Sequence, residues 1–253
     1  MMNRECIDFV IAGVQKGGTT ALDAYLRQHP ELCMASRKET HFFDTDAYFQ
    51  PEPVDYAAYH AFFQPGPRQR LCGEATPIYL YWQDAVRRMW RYHPGLKIIV
   101  ILRNPISRAF SHWNMERDRK METLPFGEAL RAEVERCRAA LPEQHRVFSY
   151  VDRGFYLEQL RRLWRYFPRE QTLILRYEVL RDEPQATLDA VCRFLGVTGL
   201  PNVMRREVHA RPYATAMTGA EWEDLRAVFE WEIRGLESVL GWDCQAWLKP
   251  PTG

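Results

Sequence analysis

The segment that most constrains this chain is Ile7-Asp8-Phe9-Val10-Ile11-Ala12. It is a short, mostly apolar run rich in β-branched residues, which stops at Gly13 and passes into Gln15-Lys16-Gly17-Gly18-Thr19-Thr20. An apolar run of this length reads as a strand buried on both faces, as in a parallel sheet. After the two glycines, Thr19 or Thr20 is placed to cap a helix running through Leu22, Tyr25 and Leu26 to the stop at His29-Pro30. A glycine-rich turn between strand and helix offers an anion free backbone N–H groups and the positive end of the helix dipole. Ligands of open parallel sheets bind at such carboxyl strand ends. Gly17 and Gly18 allow close approach, Lys16 adds a charge, and both threonines donate hydroxyls. The Walker pattern is absent, because the lysine precedes the glycines.

The rest of the chain repeats the alternation. Leu96-Lys97-Ile98-Ile99-Val100-Ile101-Leu102 reads as a second strand, ending at Arg103-Asn104-Pro105 and leading into a helix from Ile106 to Arg119. A helix from Phe155 to Phe167 precedes a third strand, Gln171 to Arg176, and further helices are expected at 83–92, 126–139, 184–195 and 219–239. Strands alternating with helices predict one α/β domain over residues 1–253, with a central parallel β-sheet flanked by helices and a phosphate-binding, P-loop-like turn. No Ser/Gly-rich or Pro-rich linker divides the chain.

Composition excludes some classes. The 34 Lys and Arg nearly cancel 33 Asp and Glu, for a net charge of +1, so nucleic acid is not an expected partner and any anion site is local. The six cysteines, at 6, 33, 72, 137, 192 and 244, form no Cys-x-x-Cys pair and read as reduced thiols. No acidic cluster has metal-ligand spacing, so no metal is expected. The run Ile7 to Val14 is too short for a signal-peptide core, and no stretch approaches the ~20 apolar residues that span a bilayer. The cytoplasm is the expected compartment, and the sequence leaves the oligomeric state open.

Two further groups carry chemistry. Arg103 stands at the end of the second strand and Ser111 two turns into the following helix, a guanidinium and a hydroxyl suited to a phosphate. With the first loop, they imply a nucleotide that is anionic at both ends. In Arg37-Lys38-Glu39-Thr40-His41-Phe42-Phe43, Glu39 and His41 are two apart, so an extended backbone would point both the same way. Either is a plausible general base. The bland alternative pairs Glu39 with Lys38 or Arg37 and packs His41 against the phenylalanines.

Together these segments resemble the sulfotransferases that use 3′-phosphoadenosine 5′-phosphosulfate (PAPS). Phe9 to Leu22 is similar to the family's 5′-phosphosulfate loop, and Ile101 to Ser111 to its 3′-phosphate motif. The resemblance implies that Gln15, Lys16, Gly17, Gly18, Thr19 and Thr20 hold the phosphosulfate, and that Arg103 and Ser111 hold the 3′-phosphate. Lys-Glu-x-x-Phe-Phe resembles the heparan-sulfate-type branch of N-deacetylase/N-sulfotransferases and 3-O-sulfotransferases. There the glutamate is the base, which implies Glu39, and related members carry a histidine where His41 stands. Gly73-Glu74-Ala75-Thr76-Pro77-Ile78-Tyr79 departs from that branch, with Ala75 in place of an acceptor-side lysine. This weakens a polyanionic glycan and leaves a small-molecule, lipid or saccharide acceptor, as in a bacterial-style small-acceptor member. Arg211, in the basic stretch Arg205 to Tyr213, is expected over the donor phosphates. The aromatic residues Phe42, Phe43, Tyr48, Phe49, Tyr79, Tyr81, Trp82 and Trp113 are expected mostly in the core, with some lining an apolar acceptor pocket. The rival readings are a nucleoside-triphosphate-dependent kinase on a related scaffold and a nucleotide-binding module without catalysis.

Overall fold

The computed structural model describes residues 6–50, 52–201, 213 and 215–250. In chain order the elements are β1 (Phe9–Gly13), α1 (Thr19–Leu26), β2 (Leu32–Met34), α2 (Ala57–His60), β3 (Leu71–Ala75), α3 (Ala85–Tyr92), β4 (Lys97–Leu102), α4 (Pro105–Asp118), α5 (Phe126–Ala140), α6 (Tyr156–Trp164), β5 (Thr172–Arg176), α7 (Tyr177–Asp182), α8 (Pro184–Leu195) and α9 (Gly219–Leu240). The strands form one sheet in the order β2-β3-β1-β4-β5, with every neighbouring pair parallel. This is the expected α/β architecture. β1 lies at the centre, and Phe9, Val10, Ile11 and Ala12 are fully buried, which is why that run has no polar alternation.

The chain divides into two compact units, Met1–Leu102 with Arg162–His209, and Arg103–Arg161 with Ala210–Gly253. The first holds the whole sheet. Phe9 and Ile11 of β1 and Ile99 and Ile101 of β4 pack against Leu22, Tyr25 and Leu26 of α1 and Leu188, Val191 and Leu195 of α8. Each such side chain removed from water contributes ~1.5–3 kcal/mol, so this layer fixes the sheet rigidly. In the second unit, Asn104 caps α4 by accepting the Ile106 N–H at 2.9 Å, and Pro105 opens the helix, where its missing N–H costs nothing. Thr218 and Glu221 form a reciprocal capping box that starts α9.

The expected helices and the three expected strands are present, with ends shifted by at most three residues. Two strands were not foreseen. β2 has only three residues, and β3 carries Gly73 and Glu74 in place of an apolar run. The expected threonine cap on α1 is not formed. Gly18 occupies the cap position in a left-handed conformation (φ 91), with no side-chain cap hydrogen bond, which leaves the threonine hydroxyls outside that duty.

Candidate active site at the carboxyl edge of the sheet

The loop after β1 is held by the sheet itself. The Val14 N–H donates to the Ile101 carbonyl of β4 at 3.1 Å, and the Gly17 N–H closes a turn onto the Val14 carbonyl at 2.8 Å. A Cβ on Gly17 would lie 2.5 Å from the Ile101 oxygen and 2.9 Å from the Val14 oxygen, so only glycine fits there. Gly18 combines its positive φ with a close approach to the Tyr177 ring, which a Cβ would meet at 3.0 Å. Lys16, between these constraints, has φ 69. The turn delivers its backbone N–H groups to the start of α1, an arrangement that fits an anionic group.

Glu39 stands beside it on the same edge of the sheet. Its N–H donates to the Ala75 carbonyl at the end of β3, the neighbour of β1, at 3.0 Å. The backbone here is not extended. Glu39 has φ 59 and His41 φ 55, and these two left-handed residues, rather than strand alternation, bring the side chains together. His41 Nε2 is 3.6 Å from Glu39 Oε2, and its Nδ1 is 3.0 Å from Asp44 Oδ2, a fully buried carboxylate. Lys38 Nζ is 2.5 Å from the other Glu39 oxygen. The pairing of Glu39 with Lys38 therefore exists, but together with the histidine contact and not instead of it.

Electrostatics sort the two candidates. The Asp44 hydrogen bond, followed by the Glu39 carboxylate 3.6 Å away, raises the His41 pKa to about 9 against the opposing effect of burial. At neutral pH His41 is an imidazolium with a carboxylate at each nitrogen, and so has no free lone pair for a proton. For Glu39 burial favours the neutral acid, but the His41 imidazolium 3.6 Å away and the Lys38 ammonium outweigh it and hold the carboxyl down at about 2. Within the pair Glu39 is thus the ionised carboxylate and His41 the protonated partner. Among the described residues, four non-glycine residues have positive φ: Lys16, Glu39, His41 and Lys120. Three of the four are the residues nominated for catalysis from sequence. Such strained conformations persist where surrounding structure over-determines them, and they concentrate at functional sites.

The second unit contains the other nominated residues. Arg103 follows β4 directly, and its carbonyl accepts from the Tyr156 hydroxyl at 2.9 Å; Ser111 is buried in α4. Arg211 lies outside the described residues. The rings of Phe42, Phe43 and Tyr79 pack in an aromatic cluster with Tyr59 and Tyr92, and Tyr48, 45% exposed, stacks on Phe42 with centroids 4.8 Å apart. Sequence reasoning did not single out Asp44 or Thr40. The signal for Asp44 was its place three residues after His41; Thr40 carried none until Glu74 was seen opposite it. Among the described residues no group of His, Cys, Asp and Glu is arranged to hold a metal ion, and no helix is long and apolar enough to cross a membrane.

Known proteins are similar to this chain in sequence and in fold. The sulfotransferase domain family matches residues 7–215. The chain is 31% identical over 191 residues to heparan sulfate glucosamine 3-O-sulfotransferase 5 of Mus musculus, covering 74% of this chain and 53% of that protein. It is 34% identical over 188 residues to 3-O-sulfotransferase 6 of the same organism, covering 74% and 52%. It thus spans about half the length of these curated relatives. The crystal structure of a sulfotransferase from Alicyclobacillus acidocaldarius superposes with a TM-score of 0.83 at 31% identity, covering 96% of this chain and 99% of that one. The superposed structure thus shares the α/β fold with its central parallel sheet. The chain belongs to the sulfotransferase family.

Proposed function

We propose that this protein transfers a sulfo group from PAPS to a hydroxyl or amine of a small-molecule, lipid or saccharide acceptor, as a single domain over residues 1–253. The observation that carries this reading is the ionised Glu39, bridged to the His41 imidazolium, on the sheet edge that also bears the Lys16 loop. The donor supplies an activated sulfo group. The N–H groups of the Gln15–Thr20 turn other than that of Gly17, which is held by the Val14 carbonyl, and the Lys16 ammonium bind its 5′ end and offset charge on the departing phosphate oxygen, while Arg103 and Ser111 take the 3′-phosphate. Glu39 accepts the proton of the attacking acceptor. His41, fixed by Asp44, orients the carboxylate. The sulfur–oxygen bond to the phosphate breaks as the bond to the acceptor forms, leaving adenosine 3′,5′-bisphosphate. Positioning and charge stabilisation carry such in-line transfers. Family membership supports PAPS as the donor. The relatives' names make saccharides one acceptor class to test, and Ala75 keeps smaller acceptors beside them.

A thermal-shift comparison tests the donor: adenosine 3′,5′-bisphosphate should stabilise the protein and Mg-ATP should not, since only a ligand bound by the native state raises its melting temperature. Stabilisation by Mg-ATP alone would establish the kinase reading instead. Transfer of labelled sulfate from PAPS to a panel of phenols, hydroxylated lipids and glucosamine-containing oligosaccharides tests the reaction. No product on any of them would favour the non-catalytic module.

A further inference from the structure

Glu74 is fully buried in β3, and its partners are hydroxyls. Oε2 accepts from Thr40 at 2.8 Å and Thr76 at 2.6 Å, and Oε1 accepts from Tyr59 at 2.7 Å and Tyr79 at 3.1 Å. A buried carboxylate is costly to desolvate, and four donors converging on one are more than packing alone requires. The donors come from three separate places: Thr40 from the loop after β2, Tyr59 from α2, and Thr76 and Tyr79 from the turn after β3.

Thr40 is the residue between Glu39 and His41. Its side chain is buried, while those of Glu39 and His41 are 36% and 38% exposed. The left-handed backbone on either side of Thr40 turns its hydroxyl inward as it turns the carboxylate and imidazole outward. For non-glycine residues that conformation is unfavourable and must be held from outside. Tyr79 supplies a second hold, since its hydroxyl donates to Glu74 and accepts the Phe42 N–H at 3.0 Å. Beyond this turn, Arg88 of α3 donates to the Phe43 carbonyl at 3.0 Å, so the far end is fixed independently of Glu74.

The geometry points to Glu74 as the positioning residue of the active site, clamping the Glu39–His41 turn through Thr40 and Tyr79 so that the imidazole stays bridged between Glu39 and Asp44. This inference rests on the reading of Glu39 and His41 as the reacting pair. It assigns Thr40 a specific part: its hydroxyl, rather than its volume, transmits the clamp.

Three variants test it: Thr40→Val, which keeps the shape and removes the hydroxyl, Thr40→Ser, which keeps the hydroxyl, and Glu74→Gln. The readouts are turnover on whichever acceptor of the panel is used, stabilisation by adenosine 3′,5′-bisphosphate, and the NMR titration of His41, assigned by comparison with His41→Gln. Thr40→Val should lower kcat on the order of 10–100-fold, the scale of a small misplacement of reacting groups, with the KM for PAPS within about threefold and bisphosphate stabilisation retained. Its His41 midpoint should fall from about 9 toward 6.5, because the bridge to two carboxylates loosens. Thr40→Ser should restore both values, and Glu74→Gln should follow Thr40→Val. A Thr40→Val protein with wild-type turnover and midpoint overturns the inference, as does a Thr40→Ser protein as impaired as the valine. The titration needs no activity, so the clamp stands or falls on it even where the wild-type protein transfers no sulfo group, an outcome that sinks only the proposed reaction.

Discussion

Replacing Gly17 with alanine isolates the contribution of the loop backbone. The new methyl would lie 2.5 Å from the Ile101 carbonyl oxygen, where ordinary contact begins at 3.4 Å, so the two must separate by about 0.9 Å. Neither this neighbour nor the Val14 oxygen at 2.9 Å can rotate away, because both are backbone atoms. Overpacking of this kind costs ~1–3 kcal/mol, which lowers the melting temperature of a chain this size by about 2–12 °C. The functional loss is larger than the structural one. A 0.9 Å displacement takes a 2.9 Å N–H···O contact to about 3.8 Å, beyond hydrogen-bonding range. Each bond lost to a charged oxygen is worth ~1.5–3 kcal/mol, or roughly 10–100-fold in dissociation constant. Isothermal titration with adenosine 3′,5′-bisphosphate measures this directly. Gly66→Ala is the control, since its methyl meets only the Gln69 side chain at 3.6 Å. If Gly17→Ala binds the bisphosphate as tightly as wild type with an unchanged melting temperature, the loop does not hold the donor in the way argued here.

Three further outcomes follow from the same geometry. Glu39→Gln should lose ~10²–10⁴-fold in turnover while keeping donor affinity, and near-normal turnover would remove Glu39 from the role of base. Arg103→Ala should weaken adenosine 3′,5′-bisphosphate but not adenosine 5′-monophosphate, and equal loss for both would show that Arg103 does not read the 3′-phosphate. The His41 pKa is raised from 6.5 to about 9, so its contribution to stability is fully present below pH 6.5 and disappears as pH rises through 9. That of Glu39, lowered from 4.5 to about 2, is present above pH 4.5 and disappears as pH falls through 2. Both side chains are more than a third exposed, so screening limits each contribution to about 1 kcal/mol or less. Urea unfolding of wild type and His41→Gln should differ at about pH 6 and converge at about pH 10, and a gap that widens with pH contradicts the assignment.

The strands of the sheet differ in how they are written in the chain. β1, β4 and their following helices were legible because burial on both faces demands an apolar run, and a run of β-branched residues has few other uses. The loop Gln15 to Thr20 was legible for a similar reason: close backbone approach needs glycine, and two adjacent glycines after a strand leave little choice. β3 was illegible. Leu71-Cys72-Gly73-Glu74-Ala75 has a carboxylate where a central strand wants an apolar side chain, and it becomes a strand only because Thr40, Tyr59, Thr76 and Tyr79 supply hydroxyls to it.

The candidate site divides in the same way. The residue types at 39 and 41 name an acid and a base, but which carries the proton depends on Asp44, 3.0 Å from His41, on Lys38, 2.5 Å from Glu39, and on a left-handed turn that residue spacing does not encode. The sequence by itself determined the parallel α/β class, the strands β1, β4 and β5 and the glycine turn after β1, because each is set by local backbone geometry or by burial. Only the tertiary structure decided the protonation and orientation of Glu39 and His41. Lys38 and Asp44 are near in sequence, but the left-handed turn that sets them around the pair is held by Glu74, Ala75 and Tyr79 from β3 and the turn after it, and such contacts leave no periodic trace along the chain.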